Sequence, residues 1–501
     1  MFNNYDEMMN LAVKICKENS GYESMSYALM WDLYTENIPN DAIKYRNDLV
    51  AYIKLLKYNH SISNDVENVV NFFKDKKIEN AEERAVIREI NRLYQINKTC
   101  TYDKLLKLES AYLNAQEKWR EAFRKNDYSI YVDYLKELFR AIEDTLIDRS
   151  TDKSPMQQLI SRNEIDLTVE EIDNLFDELK EGLLELHNKI KDKKCIIDDS
   201  VLDLPLKKFE LKKLCTSLAD IIGFDSSRGM YGEALHPMAI PVGPDDVRIL
   251  NKYENFKVSV FSLLHEAGHA IYTQMHDKKI EYTGLWKGHF GSMHEGQARF
   301  FENIIGRSKE MWISIYPKIK SELKEFENVS LEEFVKMINK VDSIPIRVDA
   351  DEVTYSLHII IRYEIEKEIF DGKLSIDDLP KRWNEKYKKY LGIDIKSDRE
   401  GILQDPHWAL GCIGYFQDYA IGNIYCGQFF WKIKKDIPDV MQSISKGNFE
   451  PMLKWLKTNI YSYSGIYTPS EIIKNVTGEK LSSKYYLQYL NEKYSELYNL
   501  N

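Results

Sequence analysis

The sequence predicts a mainly α-helical protein, and three observations carry that prediction. Glycine and proline, the residues that punctuate turns, number only 22 and 13 among 501 residues, too few for a long series of strands joined by tight turns. Stretch after stretch instead repeats apolar residues at three- and four-residue intervals, the period of an amphipathic helix. The chain is 44% hydrophobic and 30% charged, the balance of a soluble globular protein, and it is long enough to bury a large core.

Taken in order, helices are expected over residues 6–17, 41–56, 79–93, 102–124 and 130–146. Within YALMWDLYTENIP at 27–39, Trp31 reads as a buried indole beside Asp32, a helix-ending acid. The chain turns polar at 152–163. Thr168 and Glu171 then have the spacing of a capping box, opening a helix expected to run to about Ile190. Residues 195–249 are broken by Pro and Gly and carry short β-branched runs, which predicts a small antiparallel sheet. An edge of such a sheet can bind an extended peptide by strand addition. A further helix is expected over 354–370, with His358 as a packing histidine. No fixed-period repeat and no linker rich in Pro, Gly or Ser divides the chain, so residues 1–501 read as a single domain.

The net charge of −11 argues against non-specific nucleic-acid binding, which needs a basic surface. Cys16, Cys100, Cys195, Cys215, Cys412 and Cys426 are scattered, with no C-x-x-C pair, so neither a disulfide framework nor a cysteine metal site is signalled. Buried thiols in a reducing compartment are expected. The opening MFNNYDEMMN carries acids where a secretory leader carries basic residues, and no apolar run is long enough to cross a membrane. A cytoplasmic protein is expected.

The chemistry is concentrated in VSVFSLLHEAGHAIYTQM at 258–275. Its apolar spacing is helical, and it holds His265, Glu266 and His269 in the order H-E-x-x-H. Residues four apart share a helix face, so the two imidazoles present themselves to one point. That suits a tetrahedral metal with nitrogen ligands, most often Zn²⁺. Glu266, beside the first imidazole, can act as general base toward a metal-activated water. Gly268, unfavourable inside a helix by ~1 kcal/mol relative to Ala, is expected to let another backbone approach closely.

Six of the ten histidines fall between His236 and His294. A catalytic site needs a third protein ligand, and His276, His289, His294 and Glu295 are the candidates. His276 would lie two turns beyond His269 on the same helix and converges poorly. A second helix crossing the first is the natural source, which favours His294 or Glu295 in SMHEGQARFFENIIG.

These motifs together resemble a family. HEAGHA at 265–270 followed by HEGQ at 294–297 is similar to the thermostable metallocarboxypeptidases of the Taq carboxypeptidase type. HPM at 236–238 resembles the family's HPF, and DVRI at 246–249 its D-x-R-x-T, with Leu250 in place of Thr. IRVDAD at 346–351 fits I-R-x-x-A-D, and GILQDPHW at 401–408 fits G-x-x-Q-D-x-H-W. The early WDLYT at 31–35 is also family-like, so the matches span 31–422 in the family's order. Departures are Met238, Leu250, Gly296 in place of the Ser of HESQ, and Gln417-Asp418 where Pro and a small polar residue are usual. None removes a ligand or the base.

The resemblance implies a nearly all-helical peptidase fold with two lobes flanking a deep groove, a homodimer, and removal of single residues from peptide C-termini. It implies His265, His269 and Glu295 as ligands of zinc, replaceable by Co²⁺, and Glu266 as base and then proton donor to the leaving amine. Two neutral imidazoles and one carboxylate leave such a site with net charge +1, favourable to a developing oxyanion. The free carboxylate of the substrate calls for arginine, whose planar fork matches two oxygens. Arg347 is the leading candidate and Arg248 the second, against structural pairing with Asp351 or Asp246. His236, His407 and Tyr419 are candidates for contacting substrate backbone or oxyanion, and Gln404, Asp405 and Trp408 for shaping the cleft. Two other readings are an endo- or dipeptidyl-acting zinc peptidase with the same helix chemistry and a non-catalytic peptide-binding scaffold.

Overall fold

The computed structural model describes residues 4–35, 38–146, 153–193, 195–288 and 290–500. Helices dominate, with one three-stranded sheet. The chain forms two compact units of three segments each. The first comprises Met1–Asn97, Ile197–Ile338 and Gln428–Leu481; the second comprises Lys98–Ile196, Asn339–Gly427 and Ser482–Asn501.

The first unit opens with a helix of 30 residues, Tyr5–Tyr34, longer than the 6–17 expected. The Asn4 side chain caps its start by accepting from the Asp6 N–H. Trp31 is buried against Ile240 and Leu250 of the sheet, as its type suggests. Asp32 pairs with Arg46 on the next helix, Ala42–Ser61, at 3.0 Å. Met8, Ala12 and Ile15 of the first helix pack with Val69 of Asn64–Phe73, Ile90 of Ala81–Lys98 and Trp286 in one core.

The sheet contains β1 (Tyr231–Glu233), β2 (Met238–Gly243) and β3 (Asp246–Asn251) in the order β1-β3-β2. β2 and β3 form an antiparallel hairpin with Ala239 opposite Ile249. β1 pairs parallel to β3, with Tyr231 opposite Ile249. The sheet is therefore mixed rather than wholly antiparallel. Three successive strands alternate in direction, so placing the third in the middle makes it parallel to the first. Nor is all of 195–249 sheet: helix Lys208–Ile222 buries Leu211, Leu214, Leu218 and Ile222 along one face and stops at Gly223, whose φ is +110°.

Helix Phe256–Gln274 carries the H-E-x-x-H residues and starts at Asn255, whose side chain accepts from the Val258 N–H at 2.8 Å. A Cβ on Gly268 would meet Ala298 Cα and Gln297 O at 2.7 Å. This is the close backbone approach anticipated from the sequence, and it seats helix Gly291–Arg299 against the first. A π-helical turn, Phe300–Ile305, continues the second helix.

In the second unit, helices Tyr102–Lys125 and Val132–Asp144 run close to their expected limits. Thr168 and Glu171 form the anticipated capping box at the start of Val169–Asp192. Helix Pro155–Asn163 occupies the stretch read only as polar, with Ser154 as cap and Pro155 in the first turn. Helix Tyr355–Phe370 is buried nearly all round, including His358, Arg362 and Glu366. Such a helix lies in the middle of its core rather than on its surface.

No two of the six cysteines are joined; Cys16, Cys100, Cys215 and Cys426 are buried, Cys412 is half-buried, and Cys195 is exposed, contrary to the expectation of buried thiols throughout. Among the described residues, no helix is long and apolar enough to cross a membrane.

Candidate active site

His265 and His269 project from one face of the motif helix with ring centroids 5.0 Å apart. Glu295, from helix Gly291–Arg299, places Oε2 3.7 Å from His265 Nε2 and 3.8 Å from His269 Nε2. Those separations are too long for hydrogen bonds. Each of the three residues offers a donor atom, and the three atoms lie within 4.8 Å of one another. Nitrogen and carboxylate donors so gathered, yet not bonded to each other, suit a divalent ion.

Further groups hold these donors. His265 Nδ1 lies 2.9 Å from Glu302 Oε2 on the π-helical turn. Arg299 bridges the two acids, its Nε donating to Glu295 Oε1 at 2.8 Å and its Nη1 to Glu302 Oε2 at 3.1 Å. Glu295 thus keeps Oε2 turned toward the imidazoles. Burial alone would lower the His265 imidazole, but the charge of Glu295 and the Glu302 hydrogen bond outweigh it and lift the pKa to about 9. The same excess negative charge favours a bound cation. Burial would likewise raise Glu302, but Arg299 and His265 hold it down at about 2. Burial pushes His269 well below its ordinary value, keeping that imidazole neutral.

Glu266 is 8% exposed and accepts from the Ala239 N–H of β2. Burial raises its pKa to about 7, with the facing His265 opposing and Glu295 adding to the rise. A carboxylate poised there can accept and return a proton near neutral pH.

The other proposed ligands stand apart from the cluster's centre. His294 lies behind His269, Nδ1 to Nδ1 at 3.4 Å. His276 donates from Nδ1 to Thr273 O at 2.7 Å and faces Glu281. His289 lies outside the described residues. Sequence reasoning missed Glu302 and Arg299. The signal was present, since Glu295, Arg299 and Glu302 are spaced four and three apart along one helical stretch.

The substrate candidates divide between the units. In the first, Arg248 forks onto its strand neighbour Asp246, Nε to Oδ1 at 2.8 Å and Nη2 to Oδ2 at 2.6 Å, and lies 5.2 Å from the Trp31 ring centre. His236 is exposed in the turn between β1 and β2. In the second, Arg347, His407 and Tyr419 come together around Asp405. Arg347 Nη2 donates to Asp405 Oδ1 at 2.9 Å, its Nη1 to Tyr355 Oη at 3.0 Å, and its N–H to Gln404 Oε1 at 2.8 Å. Arg362 Nε donates to the other oxygen of Asp405 at 2.7 Å. His407 stacks on Phe416, and its Nε2 lies 3.1 Å from Tyr419 Oη. Burial and the nearby Arg347 lower His407 to about 4, so it is neutral. The acid paired with Arg347 is therefore Asp405. Asp351 instead accepts from the N–H groups of Val353 and Thr354. Trp408 donates to buried Glu366 at 2.7 Å.

Two imidazoles one turn apart, a carboxylate from the following helix and a buried acid beside the sheet define the class: a hydrolytic metallopeptidase. Comparison with known proteins gives the family. Residues 12–494 match the family described as carboxypeptidase Taq (M32) metallopeptidase. The chain is 34% identical over 490 residues to the protein named Carboxypeptidase 1 of Bacillus subtilis, covering 97% of this chain and 98% of that one. It is 34% identical over 425 residues to Thermostable carboxypeptidase 1 of Thermus thermophilus, covering 82% and 83%. A solved structure of Pyrococcus furiosus carboxypeptidase superposes with a TM-score of 0.94 at 29% identity, covering 98% of this chain and 99% of that one. The chain belongs to this family and is a metallocarboxypeptidase; peptides are its substrates and a divalent metal its cofactor.

Proposed function

We propose that the enzyme is a zinc carboxypeptidase, with Co²⁺ able to substitute, that removes single residues from peptide C-termini. The observation that carries the reading is the convergence of His265, His269 and Glu295 next to buried Glu266. His265, His269 and Glu295 would hold the metal, which when bound polarises the scissile carbonyl and acidifies the attacking water. Glu266 takes the proton released as water oxygen bonds to the carbonyl carbon. It then passes that proton to the departing amine nitrogen as the C–N bond breaks. Arg299 and Glu302 keep the ligand set oriented throughout.

For the free carboxylate of the substrate we propose Arg347 or Arg248, with His236, His407 and Tyr419 contacting backbone or oxyanion. Residues 1–501 act as one peptidase domain, in a homodimer, in the cytoplasm. Digestion of a mixed peptide pool, read by mass spectrometry with and without chelator, tests the reaction. Ladders shortening only from the C-terminus, and only without chelator, are expected. Internal fragments, or equal cutting of C-terminally amidated peptides, would overturn exopeptidase action and carboxylate recognition.

A further inference from the structure

We propose that His294 is a positioning residue that fixes which ring nitrogen of His269 carries the proton, and that the backbone carbonyl of Lys287 in turn fixes His294. The inference rests on the reading of His269 as a metal ligand. It begins at an atom with no choice of role: a carbonyl oxygen only accepts. His294 Nε2 bonds Lys287 O, so Nε2 carries a ring proton, and in the singly protonated ring Nδ1 is an acceptor. That Nδ1 faces His269 Nδ1 at 3.4 Å. One of the two nitrogens must donate, and His294 has no proton at that edge. His269 therefore donates from Nδ1, which leaves its Nε2 lone pair bare, and Nε2 is the atom that faces Glu295 Oε2 at 3.8 Å.

The anchor of this relay is itself held. Lys287 is 6% exposed, and its ammonium is paired with Glu23 on the first helix, 264 residues earlier in sequence. Glu23 also takes Lys57, so two ammonium groups share one carboxylate. Gly288 follows Lys287 with φ +65°, and a Cβ there would lie 2.9 Å from the Tyr272 ring. Tyr272 meets His294 edge-on, with ring centroids 4.8 Å apart. The first helix thus reaches the metal centre through Glu23, the Lys287 carbonyl and His294.

The two imidazole ligands are consequently backed by different groups. His265 Nδ1 is backed by the carboxylate of Glu302, whereas His269 Nδ1 is backed by a second imidazole. A carboxylate makes its imidazole the more basic ligand. His269 is the softer side of the grip, and the one tied to a distant helix.

The test starts with metal-free wild-type enzyme, whose ¹⁵N imidazole spectrum reports each tautomer without any variant. His269 protonated at Nδ1 and His294 at Nε2 is the expected result; His269 protonated at Nε2 would overturn the proposal. Zn²⁺ affinity is then measured by chelator competition, with circular dichroism to verify the fold. His294→Phe is expected to weaken binding by roughly 10- to 100-fold. His294→Asn, which retains one acceptor and one donor, should lose less. Glu23→Gln should weaken binding modestly alone and not at all in the His294→Phe background. Wild-type affinity in folded His294→Phe, with binding lost in His269→Ala, would sink the positioning role alone. Wild-type affinity in both would sink the ligand assignment of His269 as well.

Discussion

The candidate metal cluster of the first unit and the arginine–aspartate cluster of the second are both buried and charged, but they are built to opposite ends. In the second, Arg347 and Arg362 close on the two oxygens of Asp405 at 2.9 and 2.7 Å, ordinary lengths for charge-assisted hydrogen bonds. In the first, Glu295 stops 3.7 and 3.8 Å short of the imidazoles it faces, while its other oxygen is bonded to Arg299. One cluster closes its hydrogen bonds within itself, two guanidinium groups on one carboxylate. The other keeps three donors aimed at a common point and unbonded to one another. The difference teaches how to tell a candidate cation site from a closed ion-pair cluster when both consist of acids and bases: by the distances the groups decline to close.

That contrast can be broken in order of expected effect. Stripping metal with a chelator should abolish peptide hydrolysis while leaving the denaturant stability of the Asp405 cluster unchanged, as read by urea titration of a probe in the second unit. Glu266→Gln should retain stoichiometric metal and lower kcat by about 10²–10⁴-fold, the usual range for a lost general base. Steady-state rates with metal content measured alongside decide it, and retained turnover removes Glu266 from the mechanism. Asp405→Asn strands two buried guanidinium groups and should destabilise the enzyme by about 3–5 kcal/mol, seen as a shifted urea midpoint.

The same cluster carries a pH dependence of known sign. Burial alone would raise the Asp405 carboxyl, but Arg347 and Arg362 outweigh it and hold it well below the usual range. A carboxyl depressed in the folded state contributes stability above its unfolded value of about 3.9, and loses it as the pH falls. Wild-type stability should therefore drop below about pH 4, and Asp405→Asn should flatten that drop. The smallest effect is expected at Gly268→Ala. The added carbon would lie 2.7 Å from Ala298 Cα, and overpacking of that kind costs about 1–3 kcal/mol. Because it pushes on the helix that carries Glu295, metal affinity should fall with stability. A change in stability alone would separate that contact from the site.

How much of this was legible in the sequence follows the range of the interactions. His265, Glu266 and His269 lie within one helical turn, and Gly268 announced the helix crossing by its cost in that setting. The capping box at Thr168 was readable for the same local reason. Helix Lys208–Ile222 was masked because Pro205 and Gly223 bracket it with the punctuation of a β region. The parallel pairing of β1 with β3 depends on strand order, which no window of sequence encodes. For Arg347, the candidate for the substrate carboxylate, the sequence offers Asp351, four residues on, as the alternative partner, yet the acid it pairs with is Asp405, 58 residues away. His294, a candidate third ligand by spacing, lies beside His269 rather than in the His265–His269–Glu295 cluster; the same residue type at the same spacing serves either role until the facing atoms are known.

His265, His269 and Glu295 are proposed to grip one divalent ion jointly. Anomalous diffraction at the zinc edge from crystals grown with Zn²⁺ tests it most directly. A single strong peak about 2.0–2.2 Å from His265 Nε2, His269 Nε2 and Glu295 Oε2 is the predicted result. A peak that bypasses Glu295, or none at this cluster in enzyme that is active with zinc, would contradict it.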